Sequence, residues 1–143
     1  MVHEQGEGER HAIGGSEVLV KATGEDTGGS FFLSETTIEP GFPGPPLHVH
    51  DRLHDMFYVL EGCLTVELDG ARRELAPGSF VCVPPGVAHT FSNPGAEPVR
   101  FLNFNTPAGW EIYMRELAAA AQTGPLTREA IGAVAARHDF RRV

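Results

Sequence analysis

The sequence predicts a mainly β protein: an antiparallel barrel or jelly roll of short strands followed by a two-helix tail. Three observations carry this. Short apolar or alternating runs fill residues 16–105, with turn signals recurring about every 8–12 residues. Glycine (17) and proline (11) are dispersed along the chain, as many tight turns require. Beyond residue 105 the apolar period lengthens from two to that of a helix.

Residues 1–15 are polar and Gly-rich and read as a flexible N-terminal segment, with His3 and His11 set among Glu and Gly. Strand-like runs follow at 17–23 and 29–38. A proline-rich corner at 40–46 leads into Leu47-His-Val-His50. Residues 56–60 are β-rich and end at Glu61-Gly62. Residues 64–68 alternate and turn at Asp69-Gly70, the strongest hairpin signal in the chain. Further strands are expected at 72–75, 79–83, 88–91 and 99–105.

In the tail, Thr106-Pro107 offers an N-cap with proline at the first helical position. Trp110, Tyr113, Met114, Leu117, Ala118 and Ala121 share one helical face, and Gly124-Pro125 ends it. Thr127 can cap a second helix, with Ile131, Val134, Ala135 and His138 on one side. His138 reads as a hydrogen-bonded packing residue. Both helices are amphipathic and need to cover a face, against the barrel or against a partner chain. The organisation is therefore a segment 1–15, a barrel 16–105 and a tail 106–143.

Composition excludes several function classes. The formal net charge is −8, the wrong sign for phosphate contacts, so neither nucleic acid nor an anionic membrane is an expected partner. No apolar run approaches the roughly 18 residues of a membrane span, and no basic-then-apolar leader opens the chain. A cytoplasmic location is the expectation. Lys21 is the only lysine beside ten arginines, which with the Ala, Gly and Pro content suggests a GC-rich bacterial coding sequence. Cys63 and Cys82 lie in apolar strand-like runs without metal-binding spacing and read as buried reduced thiols.

The chemistry centres on His48 and His50. Residues two apart in a strand point to one side, so both imidazoles can reach one point inside a barrel. Buried polar rings need a partner, and a metal ion satisfies them. Five residues on, Asp55 adds a carboxylate at the start of the next strand. Two histidines and a carboxylate suit Fe, Ni, Mn, Cu or Zn. In the run Gly78 to Asn93, Gly78 opens a strand, Pro84 to Gly86 turns, and His89 begins the return strand, placing a third imidazole on an opposing wall.

These two stretches resemble the motifs of the cupin superfamily. The family's first motif, HxH followed after four residues by a carboxylate and then a Tyr-Val-Leu-Glu-Gly-like run, is similar to His48-Val-His50, Asp55 and Tyr58-Val-Leu-Glu-Gly62. The second motif, G-x5-P-x-G-x2-H-x3-N, is matched at Gly78, Pro84, Gly86, His89 and Asn93. The resemblance spans about residues 29–105. It implies a six- to eight-stranded antiparallel cupin barrel with one divalent transition metal inside. His48, His50 and His89 stand at the family's histidine positions, and Asp55 at its glutamate position. Aspartate is roughly 1.5 Å shorter in reach. Asp55 therefore binds directly from a closer backbone, binds through water, or leaves a three-histidine site. His54 is the neighbouring alternative, but parity turns it outward.

The resemblance further implies an oxygenase of the quercetin-dioxygenase-like type acting on a small oxygen-bearing molecule, with Asp55 as candidate general base. Isomerase or decarboxylase activity and a non-catalytic binding or sensing role are the alternatives. Strand parity places Phe57, Phe91, Phe101 and Asn103 as candidate pocket residues, with plain barrel core as the competing role for each Phe. Trp110 and Tyr113 can pack the helix or cover the barrel mouth. An exposed sheet edge and the two helices make a homodimer an expectation.

Overall fold

A computed structural model describes the whole chain, residues 1–143. Its strands are β1 (Glu9–Ile13), β2 (Ser16–Ala22), β3 (Phe32–Ile38), β4 (His48–Val49), β5 (His54–Glu61), β6 (Leu64–Leu68), β7 (Ala71–Leu75), β8 (Phe80–Val83), β9 (His89–Ser92), β10 (Val99–Thr106) and β11 (Arg141–Arg142). A short helix α1 (Gly24–Thr27) follows β2, while α2 (Trp110–Thr123) and α3 (Arg128–Ala135) precede β11. The strands form two antiparallel sheets in the orders β1-β2-β3-β10-β5-β8 and β11-β4-β9-β6-β7. This two-sheet arrangement is a jelly roll. None of the helices is long and apolar enough to cross a membrane.

Alternation places the core. Along β5, Asp55, Phe57 and Val59 face inward while His54 and Tyr58 face out. Between the sheets, Phe57 and Phe101 pack with Ile38, Val59, Leu64, Val66, Val83 and Val99. Each fully buried large apolar side chain contributes roughly 1.5–3 kcal/mol. The Asp69-Gly70 turn joins β6 to β7 with both residues in the left-handed region, φ 49° and 78°, which matches the right-handed twist of a hairpin. In the proline-rich corner Gly44 is required for a second reason. It has φ 80°, and a Cβ there would collide with the Phe91 carbonyl, so the corner could not lie against β9.

A second apolar cluster joins the tail to the larger sheet. Tyr113, Leu117 and Ala118 of α2 and Val134 and Ala135 of α3 pack on Ile13, Val18, Val20 and Phe32. The helical faces are thus covered by their own barrel. His138 bonds Glu116 through Nε2 at 2.9 Å and meets the Tyr113 ring edge-on.

Four sequence expectations are corrected. Residues 9–13, read as part of a flexible terminus, form β1, paired with β2 along its length. Thr106 is the last residue of β10, and Gly109 rather than Thr106 is the N-cap of α2. Sheet pairing continues through Thr106, opposite His54, and holds it extended. Cys63 and Cys82 are exposed free thiols. Cys82 stands on the outer side of edge strand β8 opposite Met56, and Cys63 follows the turn glycine between β5 and β6. In an apolar run on an edge strand, alternate side chains still face water.

Candidate metal centre

Three strands deliver the cluster. The two-residue strand β4 carries His48, and His50 follows it; β9 begins with His89, which pairs with His48 in the same sheet rather than standing on the opposing wall. Asp55 enters from β5 in the other sheet, where it pairs with Asn105 of β10 and Val83 of β8. All four side chains are buried, and one ligand atom from each lies within 4.8 Å of the others. Asp55 Oδ2 is 3.1 Å from His89 Nε2 and 3.5 Å from His50 Nε2. Two donors on one ion at roughly 2.0–2.2 Å are separated by about 3.0–3.5 Å. The shorter carboxylate therefore reaches the centre from its own strand.

The outer nitrogen of each ring determines what the inner one can do. His48 Nδ1 donates to the Pro46 carbonyl at 2.7 Å, His89 Nδ1 to the Val87 carbonyl at 3.1 Å, and His50 Nδ1 to the Asp139 carbonyl at 2.5 Å. With the proton on Nδ1, each neutral ring presents a bare lone pair at Nε2. Asp55 Oδ1 accepts from the amides of Asn103 and Asn105, both at 2.7 Å, which turns Oδ2 toward the histidines. His50 Nε2 has no hydrogen-bond partner although it is buried. Asp55 Oδ2 lies at hydrogen-bond distance from His89 Nε2, 3.1 Å, so the one proton that can bridge the pair must come onto Nε2; in the Nδ1–H tautomers three imidazole lone pairs and a carboxylate oxygen converge. Such a set repels itself unless a cation lies at its centre, so the residues present suit a metal ion.

Electrostatics follow the same logic. Burial, then repulsion from His89, pushes His48 down to about 3, so it stays neutral. Burial opposes charge on His50 and Asp55 as well. Asp55 nevertheless raises His50, and the adjacent His50 and His89 rings hold Asp55 well below the usual carboxylate range. A proton and a metal ion compete for the same focus of negative charge.

His48 and Asp55 also line a cavity of about 330 Å³ between the larger sheet, the proline-rich corner, α2 and α3. Its wall is mostly apolar and aromatic, including Phe32, Phe42, Phe91, Phe101, Trp110, Tyr113 and Phe140. Ser34, Thr36 and Asn103 add polar points, and the two hydroxyls bond each other at 3.2 Å. Trp110 stacks on Tyr113 with centroids 4.4 Å apart and meets His50 edge-on at 5.0 Å. These two rings therefore both pack α2 and wall the cavity.

Phe91, Phe101 and Asn103 line the cavity, whereas Phe57 does not. Phe57 sits in the inter-sheet core, with Phe91 and Phe101 as ring neighbours at 5.4 and 5.7 Å. Parity gives the inward face but not the depth. Asn93 is inward too, but its amide bonds the carbonyls of Glu39 and Glu97 and the N–H of Gly95, fastening backbone rather than lining the cavity. His54 points outward and stays apart from the cluster. Ser34, Thr36 and Asn105 were legible from alternation on β3 and β10 once Asp55 and Asn103 were placed inward. Asp139 and Phe140 carried no sequence signal.

The sequence matches the Cupin domain family over residues 34–105. It is 39% identical over 88 residues to quercetin 2,3-dioxygenase of Bacillus subtilis, a match covering 60% of this chain and 25% of that enzyme. The chain thus spans about a quarter of the length of that relative. The fold resembles that of a predicted oxalate decarboxylase from Thermotoga maritima, with TM-score 0.69 and 19% identity over 75% of this chain and 99% of the other. It also resembles a sugar phosphate isomerase of the cupin superfamily from Silicibacter pomeroyi, with TM-score 0.60 and 25% identity over 68% of this chain and 70% of the other.

Proposed function

The chain belongs to the cupin superfamily, and on that premise we propose that it is a metal-dependent, dioxygenase-like enzyme acting on a small, largely apolar molecule with adjacent oxygen atoms. The observation that carries this reading is the direct opening of the histidine–aspartate cluster, through His48 and Asp55, into an aromatic-walled cavity. The likeness to quercetin 2,3-dioxygenase, over 60% of this chain, supports the oxygenase class.

His48, His50, Asp55 and His89 would hold one divalent ion, with Fe, Ni, Mn, Zn and Cu the candidates for this donor set. Such an ion supplies Lewis acidity to an oxygen-bearing substrate. The chain's own residues do the rest. The rings of Phe91, Phe101, Trp110 and Phe140 exclude water and orient a flat apolar body. Ser34, Thr36 and Asn103 offer hydrogen bonds that fix its polar groups. Asp55 Oδ2, once released from the ion, would accept the proton a substrate hydroxyl loses, while Asn103 and Asn105 still hold Oδ1.

Dioxygen uptake by metal-loaded protein with flavonols, catechols and diketones tests the activity. Metal-dependent uptake with one of these classes is expected. Tight binding of the same compounds without uptake would replace the enzyme by a binding or sensing protein. Asp55→Ala is expected to lose turnover; full metal content together with full turnover in that variant would remove Asp55 from catalysis.

A further inference from the structure

Two of the three imidazole anchors are local: Pro46 precedes His48, and Val87 precedes His89, by two residues. The third comes from 89 residues away, where the Asp139 carbonyl accepts from His50 Nδ1 at 2.5 Å. The segment that supplies it runs back over the metal centre. The Asp139 carboxylate accepts the N–H groups of Asp51, Arg52 and Leu53 at 2.6, 3.0 and 2.9 Å. Phe140 stacks on the His48 ring, with centroids 4.2 Å apart and planes 17° from parallel. Arg141 and Arg142 form β11 against Val49 and His48, and the Val143 N–H donates to the Leu47 carbonyl.

We propose that residues 139–143 are a built-in part of the metal centre, with Asp139 as a positioning residue for His50, so that metal loading and docking of this segment strengthen each other. The inference rests on the reading of the cluster as a metal site. Its logic is tautomeric. Without an acceptor at Nδ1, His50 can move its proton to Nε2 and lose the lone pair that a metal requires. Docked Asp139 removes that alternative. A metal on Nε2 in turn makes the Nδ1–H a stronger donor toward the Asp139 carbonyl. The coupling is reciprocal by linkage. The segment is also one whose docking a ligand can shift. Arg141, Arg142 and Val143 are exposed, and Phe140 is its one aromatic anchor.

The test titrates Co²⁺ and Ni²⁺ into the full chain and, in parallel, follows tryptic cleavage after Arg137 and Arg141 with and without metal. Asp139→Ala removes the acceptor of three N–H groups and is expected to weaken metal binding by about 10–100-fold. Asp139→Asn, which keeps one acceptor oxygen, is expected to recover part of that loss. Leu64→Ala, which loosens the inter-sheet core away from residues 139–143, is expected to leave metal affinity unchanged. Metal is expected to slow cleavage in the wild type by the same factor by which undocking weakens binding. Wild-type affinity in Asp139→Ala, an equal loss in Leu64→Ala, or cleavage indifferent to metal would overturn the coupling while leaving the metal site in place. A wild type that takes up neither ion would instead overturn the metal reading itself. The cleavage measurement needs only wild-type protein, so it decides the question even where Asp139→Ala does not fold.

Discussion

His89 and His50 serve the same cluster from differently built regions. His89 stands in the barrel, anchored by its own turn and faced by Asp55 of the opposite sheet. His50 lies just past the end of a two-residue strand and takes its anchor from the tail. The barrel side is held by sheet pairing and by a buried apolar core. The tail side is held by three backbone N–H groups on one carboxylate, one stacked ring and the two-residue pairing of β11 with β4, with exposed side chains and no buried core of its own. In the proposed site the donors are complete within the two sheets, while the tautomer of one ring is set by a segment far along the chain. Substituting the barrel side should therefore remove the site, and loosening the tail side should only detune it.

The largest contrast comes from the ligands themselves. His89→Ala is expected to lose at least about 100-fold in affinity for Co²⁺ or Ni²⁺, beyond the range for outer-shell partners. Chelation of the wild type should produce the matching stability effect. At metal 100-fold above Kd the ion stabilises by about 2.7 kcal/mol, so its removal should lower Tm by roughly 5–10 °C. A His89→Ala protein with unchanged Tm response to metal would break the comparison, because the barrel side would then not hold the ion.

An intermediate effect is expected at Asn105, which is buried and donates to Asp55 Oδ1. Asn105→Ala leaves that oxygen with Asn103 alone and frees the carboxylate to rotate. Metal affinity should fall by about 10-fold, the lower end for an outer-shell partner. Asn103→Ala, which also removes a cavity-lining amide, should match it in metal affinity but exceed it in loss of ligand binding. Calorimetric titration of both variants separates these roles.

The smallest effect belongs to the tail's surface. Glu116 accepts from His138 and Arg137, and these bonds, that from His138 first, hold its pKa below the ordinary 4.5. A depressed carboxylate contributes stability above its unfolded value and loses it as pH falls through its folded one. Amide protection in residues 137–143, relative to the intrinsic exchange rate at each pH, should therefore fall below about pH 4.5. Glu116→Gln should show lower protection already at neutral pH and little further change on acidification. Equal pH profiles for the two proteins would detach Glu116 from tail docking.

Legibility in the sequence followed the same division. The HxH pair declared itself because strand parity is a local property, and Asp55, Phe91 and Phe101 inherited their inward direction from it. The Asp69-Gly70 hairpin was equally local. Phe57 shows where parity stops: it gives the face of a strand but not the depth below the cavity. Cys82 shows the same for edges, since an apolar run on β8 has an outer side that meets water. Asp139 was illegible for another reason. Its role depends on a contact across 89 residues, and nothing in the tail's helical period marks the residue at which the chain turns back. Thr106 misled because a cap-like pair can equally end a strand when a neighbour such as β5 continues the ladder.

In the proposed site four buried donors from the two sheets hold one divalent ion, with each imidazole bound through Nε2. Metal analysis of the purified protein, combined with nitrogen-resolved NMR of a Zn²⁺-loaded sample, measures both features. About one ion per chain is expected, with Nδ1 of His48, His50 and His89 protonated and Nε2 bound. Protein that neither carries nor takes up a transition metal, or a site in which any of these three rings binds through Nδ1, would contradict it.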